Sequence, residues 1–92
     1  MIVRYRRLAL ADIEDIENYL RERSPAGARN VLQAIADAIG AISEHPFAAI
    51  ATSKPGIRVK TVNRYRYRIF YRVTDDAVEI VHVRHTSRRP WA

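Results

Sequence analysis

Cysteine is absent from the 92 residues. Neither a disulfide framework nor a thiolate metal site can form, and the chain suits a reducing compartment. Three glycines and four prolines are too few for a flexible linker or a low-complexity tract, and no internal repeat is visible. No stretch free of charge approaches the ~20 residues of a membrane span. No long apolar run follows the basic residues near the start, so a secretory leader is not expected. Lysine is scarce, with two against fourteen arginines, and residues 46–92 hold only three acids. What remains is 48% hydrophobic and 28% charged, enough apolar surface to fold. At this length one domain is expected over residues 1–92. Such a chain buries roughly 60–65% of its unfolded surface in a single core.

The charge is segregated. Residues 1–45 carry six Arg against seven Asp and Glu, a net of −1. Residues 46–92 carry eight Arg and two Lys against three acids, a net of +7. A basic half of this kind suits a polyanion or an acidic protein partner.

Periodicity divides the chain into six elements. Residues 2–6 alternate weakly and predict a short strand. Residues 9–23 place Leu10, Ile13, Ile16 and Leu20 at helical spacing with Tyr19 beside them. Asp12, Glu14, Asp15 and Glu17 crowd the early turns as a solvated helix start, and Arg21 and Arg23 close the helix, as the dipole favours. Ser24-Pro25 supplies an N-cap and a first-turn proline for a second helix over residues 25–44. Its stripe is Ala28, Val31, Leu32, Ile35, Ala38, Ile39 and Ile42. Gly40 suggests close approach of another backbone, and His45-Pro46 ends the helix. The short link makes the pair an antiparallel hairpin. After a loop over residues 46–56, residues 57–62 predict a strand and Asn63-Arg64 a turn. Tyr65, Tyr67, Ile69, Tyr71 and Val73 then alternate with Arg64, Arg66, Arg68, Phe70 and Arg72, the cleanest period-two pattern in the chain. Asp75-Asp76 marks a tight turn. Residues 77–84 are apolar on both faces, as in an inner strand. The order β-α-α-β-β-β predicts an α+β fold: an antiparallel sheet with the helical hairpin on one face.

With the tyrosines turned to the helices, the other face of the 64–73 strand displays Arg64, Arg66, Arg68 and Arg72, with Arg58 and Lys60 joining from the preceding strand. Guanidinium groups bind phosphate or carboxylate bidentately. His82 is read as a structural strand residue. His85, between Arg84 and the tail, can act as a neutral base because neighbouring cations disfavour its charged form. The histidines make no metal set, and no cofactor motif is present.

The segments His45-Pro46-Phe47, Pro55-Gly56-Ile57-Arg58, Tyr67-Arg68-Ile69-Phe70-Tyr71-Arg72-Val73 and Ile80-Val81-His82-Val83-Arg84-His85-Thr86-Ser87-Arg88-Arg89, in this order, resemble the RelE/ParE superfamily of type II toxin–antitoxin systems. The resemblance spans essentially the whole chain. It implies a cytoplasmic, growth-inhibiting toxin bound by its antitoxin, commonly as a heterotetramer. The RelE-like branch implies a ribosome-dependent endonuclease of messenger RNA, for which Arg68, Arg84 and His85 are the catalytic candidates. The ParE-like branch implies a DNA gyrase inhibitor without chemistry of its own, neutralised by a ParD-like antitoxin. Glycine stands where glutamate-bearing nucleases place their acid, in Lys54-Pro55-Gly56, and the tail offers Trp91 rather than a tyrosine. Indole is no acid or base at neutral pH. The ParE-like reading is therefore preferred. Its target-binding candidates are Arg64, Arg66, Arg68, Arg84, His85, Arg88, Arg89 and Trp91. Arg21, Arg23 and Arg29, around the helix turn, are candidates for antitoxin contact, and a groove between helix and sheet edge is its expected seat. A homologue that binds antitoxin but has lost activity is the third reading.

Overall fold

The helical hairpin forms where its caps dictate. In a computed structural model that describes residues 1–86, helix α1 spans Arg7–Arg23 and helix α2 spans Pro25–Glu44. Ser24 serves both: its N–H donates to the Leu20 carbonyl and its Oγ accepts from the Gly27 N–H at 3.1 Å. Pro25 fills the first helical position, where no N–H is needed. A Cβ on Gly27 would stand 3.1 Å from that same Oγ, so the glycine leaves room for the cap.

The buried stripe of α2 is Ala28, Val31, Ile35, Ile39 and Ile42. In α1 the inward positions are Ala9 and Ile16, with Ile13 and Leu20 packed beside them. Leu10 was expected on this stripe but is 53% exposed. The small Ala9, one residue earlier, takes the inward position and lets the helix approach the sheet. Gly40 meets nothing within 4 Å of an added Cβ, so the expected backbone approach does not exist. Gly40→Ala should therefore stabilise the protein by about 0.5–1 kcal/mol, the helix-propensity difference. Urea unfolding would show it as a higher midpoint at unchanged slope.

Five strands follow the expected order with two refinements. They are β1 (Ile2–Tyr5), β2 (Ile50–Ala51), β3 (Arg58–Val62), β4 (Tyr67–Val73) and β5 (Ala77–His85), arranged β1-β5-β4-β3-β2. The three long strands form an antiparallel meander, and β2 adds a two-residue edge from within the expected loop. β1 lies parallel to β5, with Ile2 opposite Ala77, so the sheet is mixed. β5 is thus paired along both edges, the inner position expected of it. A register shift at Phe70/Tyr71 gives β5 an extra residue, so Phe70 faces His82 while Tyr71 faces Ile80.

The core lies between the helices and one sheet face. Tyr67, Ile69 and Tyr71 of β4 and Val78, Ile80 and Val83 of β5 pack against Ile16, Val31, Ile35, Ile39 and Ile42. The tyrosines thus turn inward, as their period predicts. Tyr71 is fully buried, and its hydroxyl donates to the Pro46 carbonyl at 2.6 Å, tying the end of α2 to the sheet. Burial raises its phenol above the ordinary 10.0, while the Arg58 charge and the Ala49 backbone pull the other way. The unfolded chain therefore releases this proton first. Stability is intact below pH 10 and falls as pH rises from there through the folded value. Tyr71→Phe should flatten that alkaline limb while costing about 1 kcal/mol at neutral pH for the lost hydrogen bond. Thermal melts between pH 8 and 11.5 would record both effects (on the order of the titration range expected for a phenol).

Candidate functional site

The β3–β4 connection is made by a 3-10 turn, Asn63–Tyr65, followed by Arg66 in the left-handed region at φ 59° and ψ 41°. A non-glycine residue held there costs about 1–3 kcal/mol unless its surroundings compensate. The Thr86 N–H donates to the Arg66 carbonyl at 2.8 Å, and Tyr67 is buried immediately after it, so the turn is held from both sides. The turn corrects the expected strand. Arg64 and Arg66 do not lie on a strand face; they stand exposed at the tip of the connection.

Arg68 does lie on the face away from the helices. In the β4–β5 register it sits directly opposite Arg84. Like charges at such a position destabilise a sheet unless solvent or an anion intervenes. The Arg84 Nε is buried and has no hydrogen-bond partner among the described residues. His85 is opposite Tyr67, and the two rings meet edge to face with centroids 5.1 Å apart. One end of the sheet thus collects Arg64, Arg66, Arg68 and Arg84, while His85 lies on the other face, beside Tyr67.

Glu79 and Asp76 mark the other end. Glu79 accepts from Arg72 at 2.8 Å and lies 3.7 Å from Arg6. Asp76 lies 3.5 Å from Arg4. These carboxylates stand toward the β4–β5 turn; Glu79, opposite Arg72, is about 13 Å along β4 from the Arg68–Arg84 pair at ~3.3 Å per residue. That separation exceeds the ~8–10 Å Debye length, so they do not neutralise it. Arginine keeps its charge and offers only donors. This end can hold phosphate or carboxylate oxygens, while proton transfer would fall to His85.

Arg58 and Lys60 do not join this face. Arg58 pairs with Tyr71 and Lys60 with Ile69, both core residues, so the two cations point to the helix side. Arg58 donates to the Ala49 carbonyl at 2.8 Å and lies over the Phe47 ring, fixing the loop before β2. Arg72 belongs to the acid end. Arg21 pairs with Glu17, Arg23 donates to the Tyr19 carbonyl and covers its ring, and Arg29 is exposed. These three remain grouped around the hairpin turn. Arg88, Arg89 and Trp91 lie outside the described residues.

A family model described as ParE toxin of type II toxin-antitoxin system, parDE, matches residues 3–90. The chain belongs to the ParE toxin family. No curated protein matches it. Among solved structures it resembles a chain of the chromosomal ParDE TA system from P. aeruginosa, at 21% identity and a TM-score of 0.83, covering 95% of this chain and 97% of that one. It also resembles a chain of the intact E. coli RelBE toxin-antitoxin complex, at 18% identity and 0.66, covering 95% and 98%. The isolated E. coli RelE toxin matches at 17% identity and 0.66, covering 96% and 86%. At these identities the likeness is one of fold; the family match over residues 3–90 bears out the superfamily read from the sequence.

One buried cluster of this ParE-family chain escaped that reading. Asp12, taken as part of a solvated helix start, is a part-buried anchor. One of its oxygens, Oδ2, lies 3.0 Å from His82 Nδ1 and accepts the Val83 N–H at 3.0 Å. β1 ends its pairing at Tyr5 opposite Ile80, so among the described residues the outer edge of β5 beyond that point has no strand beside it. Asp12 fills the place of the missing strand. The signal was available: Asp12 interrupts the apolar stripe between Ala9 and Ile16, and His82 interrupts an apolar strand. No group of three or more His, Cys, Asp or Glu side chains suited to a metal occurs among the described residues.

Proposed function

We propose that this ParE-family protein is the toxin of a type II toxin–antitoxin pair, acts in the cytoplasm as one domain over residues 1–92, and inhibits DNA gyrase without chemistry of its own. The arginine end of the sheet meets gyrase or the DNA it has cleaved, through Arg64, Arg66, Arg68, Arg84 and His85, continued in sequence by Arg88, Arg89 and Trp91. A ParD-like antitoxin neutralises it, in a hetero-oligomer such as a heterotetramer. The observation that carries the reading is the Arg68–Arg84 pair, two like charges placed opposite each other in the β4–β5 register. Such a pair is a standing cost to the sheet, and an anionic target relieves it.

Supercoiling by purified gyrase, with and without the protein, tests the reading. Loss of supercoiling with accumulation of cleaved DNA is the expected result. Unchanged supercoiling would sink it. The Arg68–Arg84 pair also favours a second reading, ribosome-dependent cleavage of messenger RNA, with arginines stabilising charge on the scissile phosphate and His85 on the opposite face of the same sheet end. Primer extension on translated message separates the two: cuts within codons belong to the nuclease alone.

A further inference from the structure

The arginines at the end of the sheet are restrained, each by a different means. Arg64 lays its guanidinium over the Tyr65 ring, 5.4 Å from the centroid. A stacked guanidinium keeps its in-plane N–H donors for another partner. Arg66 sits in the left-handed region at φ 59°, where glycine or asparagine is at ease and arginine is not. The Thr86 N–H holds its carbonyl at 2.8 Å, so the backbone stays there. That backbone gives no reason for an arginine at this position, which leaves the side chain as the reason. Arg84 is half-buried, with its Nε out of solvent, and stands opposite Arg68.

What this end lacks decides what it can meet. Protein interfaces are centred on aromatic and aliphatic anchors. Among the described residues, the large apolar side chains left exposed lie between Met1 and Ile50, on β1, on α1 and beside β2. None lies on the β3–β4 turn or beside the arginine pair. A surface of guanidinium groups alone suits a partner that offers anionic oxygens at regular intervals, as a nucleic-acid backbone does. Arg66 and Arg68 are at most about 7 Å apart along the chain, which matches two phosphates of one strand at about 3.4 Å of axis each. Single strands are held by bases stacked on open aromatic rings. Here the Tyr65 ring is covered by Arg64 and Tyr67 is buried, so the described residues provide no such platform. A duplex keeps its bases stacked inside and needs none.

We infer that the arginine end binds duplex DNA directly, through its phosphates, without regard to sequence and without help from gyrase. This rests on the function proposed above for its place in the toxin's action, and names DNA, not the gyrase protein, as what the arginines touch. Contacts to phosphate position a protein on the duplex but carry no sequence information. Recognition of one site among many would then fall to gyrase, which chooses where the duplex is cut, while the arginines hold what is already there.

The test uses the full-length protein and a short fluorescein-labelled DNA duplex, followed by anisotropy with no gyrase present. Four phosphate contacts give log K a slope of about −3.6 against log salt, a fall of about 150-fold between about 50 and 200 mM. A duplex of unrelated sequence should bind within about twofold. Arg66→Asn keeps a residue suited to the left-handed backbone, so its melting temperature should hold or rise while the slope becomes shallower by about 0.9. Arg84→Gln should remove a similar amount from β5. No binding at about 50 mM salt, a parent slope shallower than about −2, or a slope that neither variant changes overturns the inference. Tighter binding of a single-stranded RNA of equal length overturns it in favour of the message-cleaving reading. Loss of the DNA result with supercoiling still inhibited leaves the gyrase reading in place and moves the contact to the gyrase protein. The DNA result as expected, with supercoiling untouched, removes the gyrase reading and keeps the DNA site.

Discussion

Asp12→Ala is expected to cost about 2–4 kcal/mol of stability, a large share of what a domain of this size possesses. The side chain of Asp12 is 16% exposed and that of His82 6%, so water cannot take the place of the lost oxygen. Two donors face it, the His82 ring and the Val83 backbone N–H. Each buried donor left unsatisfied costs about 1–3 kcal/mol, and breaking a buried carboxylate–histidine pair falls in the same range. At roughly 4–8 °C per kcal/mol for a chain of this length, the melting temperature should fall by about 10–20 °C. Asp12→Asn is the informative companion, because its amide oxygen still accepts. It should lose no more than about 1 kcal/mol, the difference between a charge-assisted and a neutral bond. Thermal unfolding by circular dichroism gives both values. Exchange of the Val83 amide should rise in the alanine variant ahead of global unfolding. A shift below about 2 °C for Asp12→Ala would mean that the outer edge of β5 is held by something else.

That clasp also shows where a sequence stops being legible. α2 was readable to the residue, from Pro25 to Glu44, because its ends are set by local chemistry: a serine cap, a proline at the first position, and His45-Pro46 at the exit. The inward tyrosines of β4 were readable because one buried face imposes period two. What failed was what depends on pairing. Arg58 and Lys60 were expected beside Arg68 and face the helices instead. The reason is parity: four residues separate Val62 from its partner Tyr67, so even-numbered residues of β3 lie opposite odd-numbered ones of β4. A connection one residue shorter or longer would have reversed both cations, since a one-residue slip exchanges the faces of a strand. Arg66 in the left-handed region could not be foreseen either, because its conformation is imposed by Tyr67 and Thr86 and not by its own preference. Asp12 was misread for a related reason. Charge patterning alone counts it with Glu14, Asp15 and Glu17, and only the early end of β1 leaves an amide for it to cap.

Arg68→Glu should move stability and activity in opposite directions. In the folded protein the substitution puts a carboxylate opposite Arg84, replacing a like-charge pair with an opposite-charge pair. Cross-strand pairs of this kind are worth about 0.2–1 kcal/mol, so the melting temperature should hold or rise by a few degrees. Activity should fall. A charge-assisted hydrogen bond to an anionic target is worth about 1.5–3 kcal/mol, which corresponds to a loss of inhibition of about tenfold to a hundredfold or more. Reversal adds repulsion to that loss, and the new glutamate also occupies Arg84, the partner best placed to compensate. A merely structural arginine would behave differently, since its removal lowers stability and activity together. Arg84→Glu provides the mirror experiment, and the double reversal tests coupling: it restores like charges across the strands, so stability should return to the parent value while activity stays lost. Supercoiling assays alongside melting curves for the three variants would decide the matter. Full inhibition by a more stable Arg68→Glu would show that the arginine end of the sheet is not the surface that meets the target, and that the +7 charge of residues 46–92 serves the antitoxin instead.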